Sequence, residues 1–150
     1  MEDKKSLVFL STPITNAIDR ITGCFDKEIE LRIRQLAEKI RNKGYDLFLA
    51  IEQEEWGKAI AMPDTCTPRD YNNLIESKSL VVYLSECFSA GTYIEIGWAS
   101  ARNIPITILC QKGMKLSPLL LGLEHIGDNK IYYVDFNELQ VVEAILNERL

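Results

Sequence analysis

The hydrophobic and polar positions of this chain follow two alternating patterns, one typical of buried strands and one typical of amphipathic helices. Runs of largely apolar residues predict buried strands at residues 7–10, 45–50, 80–84, 106–110 and 131–134. Between Asp26 and Asn42, apolar residues recur three or four positions apart, which predicts a helix that ends at Gly44. Further helices are predicted to start at Thr67–Pro68, Gly91, Ser117–Pro118 and Asn137.

Strands that are apolar throughout and separated by helices predict a parallel sheet covered on both faces. At 150 residues, with no linker or repeat, the chain is expected to form one α/β domain over residues 1–150. The predicted fold is a doubly wound, flavodoxin-like sheet of five strands in the order 2-1-3-4-5. Such sheets bind ligands beyond the carboxyl ends of the strands, so segments 11–16 and 85–95 and the loop before Asp70 should share one crevice.

The amino-acid composition argues against several classes of function. The chain has 17 Lys and Arg against 22 Asp and Glu, with no basic run, which argues against binding to nucleic-acid polymers or anionic membranes. Four dispersed cysteines and a single histidine, His125, offer neither a metal site nor a redox dithiol, and no cofactor is expected. No apolar window approaches the ~20 residues of a membrane span, so a cytoplasmic location is expected.

Two carboxylates have both a structural and a chemical interpretation. Thr92-x-x-Glu95 fits a capping box, and Asp70 likewise stands three residues after the candidate cap Thr67. Alternatively, a helix start would favour ionised Glu95 as a nucleophile, and Gly91 would let a ligand approach the backbone. Because the fold brings both acids to one sheet edge, they can also act as a pair that breaks a glycosidic bond.

Three segments carry a resemblance to a known family. They are the opening strand and turn VFLSTP at 8–13, Asp70 with the strand that follows it, and above all the pattern Ser89-x-Gly91-x-x-x-Glu95-x-Gly97-x-Ala99. Over most of its length the chain resembles the nucleoside 2-deoxyribosyltransferases and their relatives, the nucleoside 5′-monophosphate N-glycosidases. The resemblance implies that Glu95 attacks the anomeric carbon to form a glycosyl-enzyme and that Asp70 assists proton transfer at the departing base.

The resemblance also separates two branches of that family. Base-exchanging transferases usually have an acid where this chain has Ser89, whereas the hydrolytic relatives have serine there and a second serine, matching Ser117, supplied by a neighbouring subunit to the same phosphate. The transferases' intersubunit asparagine would fall near Leu120, which cannot replace it. Hydrolysis of a nucleoside 5′-monophosphate by a homodimer or higher homo-oligomer is therefore favoured. Base exchange between deoxynucleosides, a non-catalytic nucleotide-binding module and NAD cleavage remain alternatives.

The other candidate substrate contacts are open to more than one interpretation. Ser11 and Pro13 lie in a turn that departs from both branches, which leaves Arg20 or Arg69 to supply charge for a phosphate. Trp56 and Phe9 could contact a nucleobase or could cover the core. Both Ser89 and Ser117 could simply cap helices.

Overall fold

A computed structural model describes residues 3–150 of the chain. Its strands are β1 (Leu7–Ser11), β2 (Asp46–Phe48), β3 (Ser79–Leu84), β4 (Ile106–Gln111) and β5 (Asn129–Val134). Its helices are α1 (Lys27–Asn42), α2 (Ala50–Gln53), α3 (Pro63–Glu76), α4 (Ala90–Ala101), α5 (Pro118–Leu121) and α6 (Leu139–Arg149). Short 3-10 turns follow β1, α2 and α5.

The five strands form one parallel sheet in the order β2-β1-β3-β4-β5, which confirms the predicted topology. Successive side chains of a strand point to opposite faces, so the sheet divides the apolar residues into two clusters. Helices α1 and α6 cover one face, and α3, α4 and α5 cover the other. The sheet reverses its winding between β1 and β3, and that is where a doubly wound fold leaves a crevice.

Helix boundaries follow the predicted signals in some places and not in others. Asp26 caps α1, since its Oδ1 accepts a hydrogen bond from Ile29 N at 2.9 Å. The predicted start of α3 at Thr67 is wrong, because Pro63 takes the first helical position and Met62 O accepts from the next turn. Strand β2 is also shorter than predicted, since Ala50 already begins α2.

Candidate active site

A cavity of ≈ 440 Å³ lies beyond the carboxyl ends of the strands, and its size falls in the usual range for a small-molecule site. The end of β1, the residues after β3 and the first turns of α4 contribute most of its wall, and α3 and the loop after β2 complete it. Asn16 Nδ2 donates to Phe88 O at 2.7 Å and so ties the two predicted segments together. The predicted location of the crevice is confirmed.

Glu95 is buried in this wall, with 9% of its surface exposed. Its Oε1 accepts a hydrogen bond from Ser11 Oγ at 2.7 Å, across 84 positions of sequence. The capping-box interpretation is wrong, because α4 begins earlier and its cap is Ser89, whose Oγ accepts from Thr92 N at 3.2 Å. Among residues 3–150, therefore, Glu95 has no capping partner to explain its position, and the side chain that hydrogen-bonds to it there is Ser11 of β1.

Burial governs the protonation of Glu95. Loss of solvent raises its pKa from 4.5 to about 8, the Ser11 hydrogen bond opposes that rise, and the nearby charge of Asp70 adds to it. A carboxyl group with a pKa far from its ordinary value inside a cleft is typical of a functional acid or base.

Hydroxyl groups connect Glu95 to the start of α4. Ser11 Oγ lies 3.2 Å from Thr92 Oγ1, and Thr92 Oγ1 donates to Ser89 Oγ at 3.0 Å. This row of hydroxyls is uncharged and largely buried, and it runs from Glu95 to the N-terminus of a twelve-residue helix, where backbone N–H groups favour anions.

Asp70 lines the same cavity from α3 but has a different environment. Its Oδ1 accepts a hydrogen bond from Arg69 Nε at 2.8 Å. Burial nevertheless raises the pKa of Asp70; Arg69 opposes the rise, and the charge of Glu54 adds to it. The predicted cap for Asp70 is absent, since Thr67 lies inside α3.

Glu54 is a cavity-lining residue that sequence reasoning missed. It is 5% exposed, its Oε1 accepts from Ala61 N at 2.9 Å, and its Oε2 lies 3.6 Å from Arg69 Nη2. The available signal was its place just after a strand on the binding edge of the sheet, within the acidic run 52–55. The same run also fits a solvated surface loop.

Five of the nine predicted site residues line the cavity: Glu95, Asp70, Ser11, Ser89 and Gly91. Four others have different positions. Phe9 is fully buried against Phe48, and Trp56 packs edge-on against Phe25 with Arg34 stacked 4.0 Å above its ring. Pro13 is buried beside the cavity-lining turn, and Ser117 caps α5 by accepting from Leu120 N.

The charges around the cavity are mainly acidic. Glu54, Asp70 and Glu95 line it, whereas no lysine or arginine does so among residues 3–150. Arg69 stands beside two of these acids, and Arg20 is exposed elsewhere. Over the same part of the chain, no cluster of His, Cys, Asp or Glu is arranged to hold a metal ion, and no helix could span a membrane.

Comparison with known proteins finds solved structures with a similar fold. No family model and no curated protein matches the chain. The Clostridium botulinum CMP N-glycosidase BcmB is 24% identical with a TM-score of 0.74, over 97% of this chain and 100% of that one. The solution structure of BlsM is 27% identical with a TM-score of 0.77, over 93% and 85%. A conserved protein from Enterococcus faecalis V583 is 20% identical with a TM-score of 0.53, over 97% of both chains.

BcmB and BlsM are members of the nucleoside 2-deoxyribosyltransferase-like family. Their sheets and this one share the flavodoxin-like α/β arrangement over nearly the whole chain. The structural neighbours of this chain thus include members of the nucleoside 2-deoxyribosyltransferase-like family, as its sequence predicts.

Proposed function

We propose that this protein cleaves the N-glycosidic bond of a nucleoside 5′-monophosphate by hydrolysis, with Glu95 as the nucleophile. The observation that carries the proposal is the buried contact of Glu95 with Ser11, 2.7 Å long, in a cavity that Asp70 also lines. A CMP N-glycosidase is among the chain's structural neighbours, which supports the reaction class.

In the proposed reaction, a Glu95 oxygen bonds to C1′ of the sugar while the C1′–N bond breaks. The base leaves with the bonding electrons and takes a proton from Asp70. Water then attacks C1′, gives its proton to Asp70 and releases the Glu95 carboxylate together with the sugar phosphate. Each step conserves charge and needs no redox partner.

The raised pKa values keep one proton available to Glu95 and Asp70 at neutral pH. Burial holds a proton on the pair, since the pKa of Glu95 is raised to about 8 and that of Asp70 is also raised. In the free protein below about pH 8 that proton lies on Glu95. The productive state is the one in which the proton has moved to Asp70, and the Ser11 hydrogen bond favours it because it stabilises the Glu95 anion.

The 5′-phosphate would lie at the start of α4, where Ser89 and Gly91 line the cavity. There the helix N-terminus and the Ser89 hydroxyl offer hydrogen bonds without a carboxylate to repel the phosphate. Ser117 of a neighbouring subunit would complete the site in a homo-oligomer, and the exposed Leu119 beside it is available for such an interface.

A second candidate is base exchange between deoxynucleosides. The observation that favours it is the acidic cavity wall, with three carboxylates and no cation among residues 3–150, because such a wall suits a neutral nucleoside better than a dianionic phosphate. In that case a second base, rather than water, resolves the glycosyl-enzyme.

One experiment separates these functions: chromatographic detection of free base from nucleosides and their 5′-monophosphates, with and without an acceptor base. Release from monophosphates alone, absent in Glu95→Ala, supports the hydrolase. Release from free nucleosides only when an acceptor is present supports the transferase. No release from any substrate contradicts both and leaves the nucleotide-binding module as the remaining function.

A further inference from the structure

We infer that Glu54 selects the base: the site takes nucleobases that carry an exocyclic amino group next to a ring nitrogen, such as cytosine or adenine, over their carbonyl counterparts. This inference rests on the proposed function, which sets the end of the cavity that the base occupies. It concerns a residue to which the proposed chemistry gives no task.

The proposed orientation of the substrate puts Glu54 near the base, because Glu54 lines the cavity and is linked to Asp70. Asp70, which the proposed reaction places at the departing base, shares the Arg69 guanidinium with Glu54 through contacts of 2.8 and 3.6 Å. The charge of Glu54 also acts on Asp70, while the charge of Asp70 acts on Glu95. Asp70 thus links Glu95 and Glu54 through these charges and through Arg69, and in the proposed orientation of the substrate this puts Glu54 on the side of the base.

The local backbone fixes Glu54 in place. Its carbonyl oxygen accepts from Gly57 N at 3.0 Å and from Ala59 N at 3.1 Å. The next three residues, Glu55 to Gly57, all have left-handed backbone, with φ of 49°, 55° and 95°. Two of them are not glycine, and such conformations persist only where surrounding contacts impose them. The loop that forms this cavity wall is thus built around Glu54.

A purely structural role leaves one oxygen of the Glu54 carboxylate with an ion-pair partner but no hydrogen bond. Within the described residues a backbone N–H donates to Oε1 alone, and a glutamine could accept that bond equally well. Oε2 lies 3.6 Å from Arg69 Nη2, beyond hydrogen-bond distance, and that nitrogen is buried without a hydrogen-bond partner within residues 3–150. A carboxylate group this deeply buried is costly unless it is fully hydrogen-bonded, and a ligand N–H group would supply the missing donor to Oε2.

The chemistry of that oxygen determines which bases fit. A carboxylate oxygen accepts N–H donors and repels carbonyl oxygens, since it has no proton to offer. Cytosine and adenine present an amino group at the edge opposite the sugar. Uracil and hypoxanthine present a carbonyl oxygen at the same position, and the neighbouring ring N–H of uracil is flanked by two carbonyls. A charged hydrogen bond of this kind corresponds to a preference of about 10- to 100-fold.

The test measures kcat/KM for two matched pairs of substrates, CMP with UMP and AMP with IMP. Both the parent protein and the Glu54→Gln variant are assayed, and the ratio within each pair is compared. Glutamine retains the acceptor for Ala61 N but presents an N–H donor where Oε2 was, so the amino preference should vanish or reverse. The matched control is Glu55→Gln, an exposed neighbour outside the cavity wall, which should keep the parent ratio.

Equal rates on both members of each pair in the parent protein, or an unchanged ratio in Glu54→Gln, would overturn the inference while leaving base release intact. If Glu54→Gln does not fold, Glu54→Asp serves: it keeps the carboxylate and should retain the ratio at a lower rate. Equilibrium dialysis with free cytosine and uracil gives a readout independent of turnover. If cytosine binds more tightly than uracil but no base is released from any nucleotide, only the proposed function is contradicted. If cytosine and uracil bind equally well, the role of Glu54 is contradicted.

Discussion

Buried carboxyl groups have different partners at the two ends of the cavity wall. We call the part around Glu95 the uncharged end and the part around Asp70 and Glu54 the charged end. Around Glu95 the polar partner is the Ser11 hydroxyl, and burial dominates its pKa. Around Asp70 and Glu54 the guanidinium of Arg69 balances part of the negative charge of the two carboxylates. Identical chemical groups thus behave differently in different surroundings: a buried carboxyl group with an uncharged donor titrates near neutral pH, whereas an acid beside Arg69 is held in a fixed orientation.

The largest effect is expected at the uncharged end. Glu95→Gln keeps the size of the side chain but removes the nucleophile, so base release should fall on the order of 10⁴-fold or more. Intact-mass spectrometry with a slow substrate, such as a 2′-fluoro-2′-deoxynucleotide, should show a glycosyl adduct on the parent protein and none on the variant. An adduct at another residue would contradict the assignment.

The charged end should respond less strongly and in a way that depends on the base. Asp70→Asn removes the proton donor and should lower kcat by about 10²–10⁴-fold on ordinary bases. A base that already carries a positive charge, such as 7-methylguanine, leaves without a proton, so its release in the first turnover, before water attacks, should be nearly unaffected. An equal loss on both substrates would show that Asp70 acts in another way.

Ser11→Ala tests how far a single hydroxyl supports the nucleophile. The parent protein should show a bell-shaped pH dependence of kcat/KM, with its alkaline limb at about 8, where the pair loses its proton. Removing the Ser11 donor destabilises the Glu95 anion, so that limb should move to higher pH and the maximum should fall about tenfold. Ser11→Thr, which keeps a hydroxyl group, should restore the parent pH profile.

A fall in rate for Ser11→Ala with no change in the pH profile would instead assign Ser11 to substrate contact.

The fold was largely predictable from the sequence because its signals are local. Continuous apolar runs identify buried parallel strands, Asp26 precedes an amphipathic stripe, and the doubly wound topology then locates the crevice. The α3 start was not predictable, since Pro63 and Pro68 both suit a first helical position and only the structure decides between them.

The details of the site depend on contacts that no local pattern encodes. Ser11 and Glu95 are 84 positions apart, so their hydrogen bond appears only once β1 and α4 are in place. The capping-box pattern was misleading because Ser89 and Thr92, three positions apart, are both suitable caps. Trp56 follows an acidic run in a loop, and its contacts with Phe25 and Arg34 depend on an unusual backbone conformation.

The smallest expected effect is on stability. The pKa of Glu95 in the folded protein, about 8, exceeds its ordinary value of 4.5, so the folded state binds more protons than the unfolded state between those two pH values. Its contribution to stability is therefore complete below 4.5 and is lost as the pH rises through about 8. Glu95→Gln does not titrate, so its melting temperature should rise relative to the parent protein across that interval.

Glu143→Gln is the control for this prediction, because the pKa of Glu143 is lowered whereas that of Glu95 is raised. A hydrogen bond from Lys39, 2.9 Å long, lowers the pKa of the exposed Glu143 carboxyl, so this variant should lose a little stability relative to the parent protein as the pH rises out of the acid range. In thermal melts, a stability difference that rises for Glu95→Gln between pH 4.5 and 8 but stays flat for Glu143→Gln there, and changes for Glu143→Gln only below 4.5, would trace the pH dependence to burial of Glu95 rather than to the protein's overall charge. Flat differences for both variants over that interval would mean that Glu95 is ionised in the folded state throughout, and the alkaline limb of activity at about pH 8 would then need another titrating group.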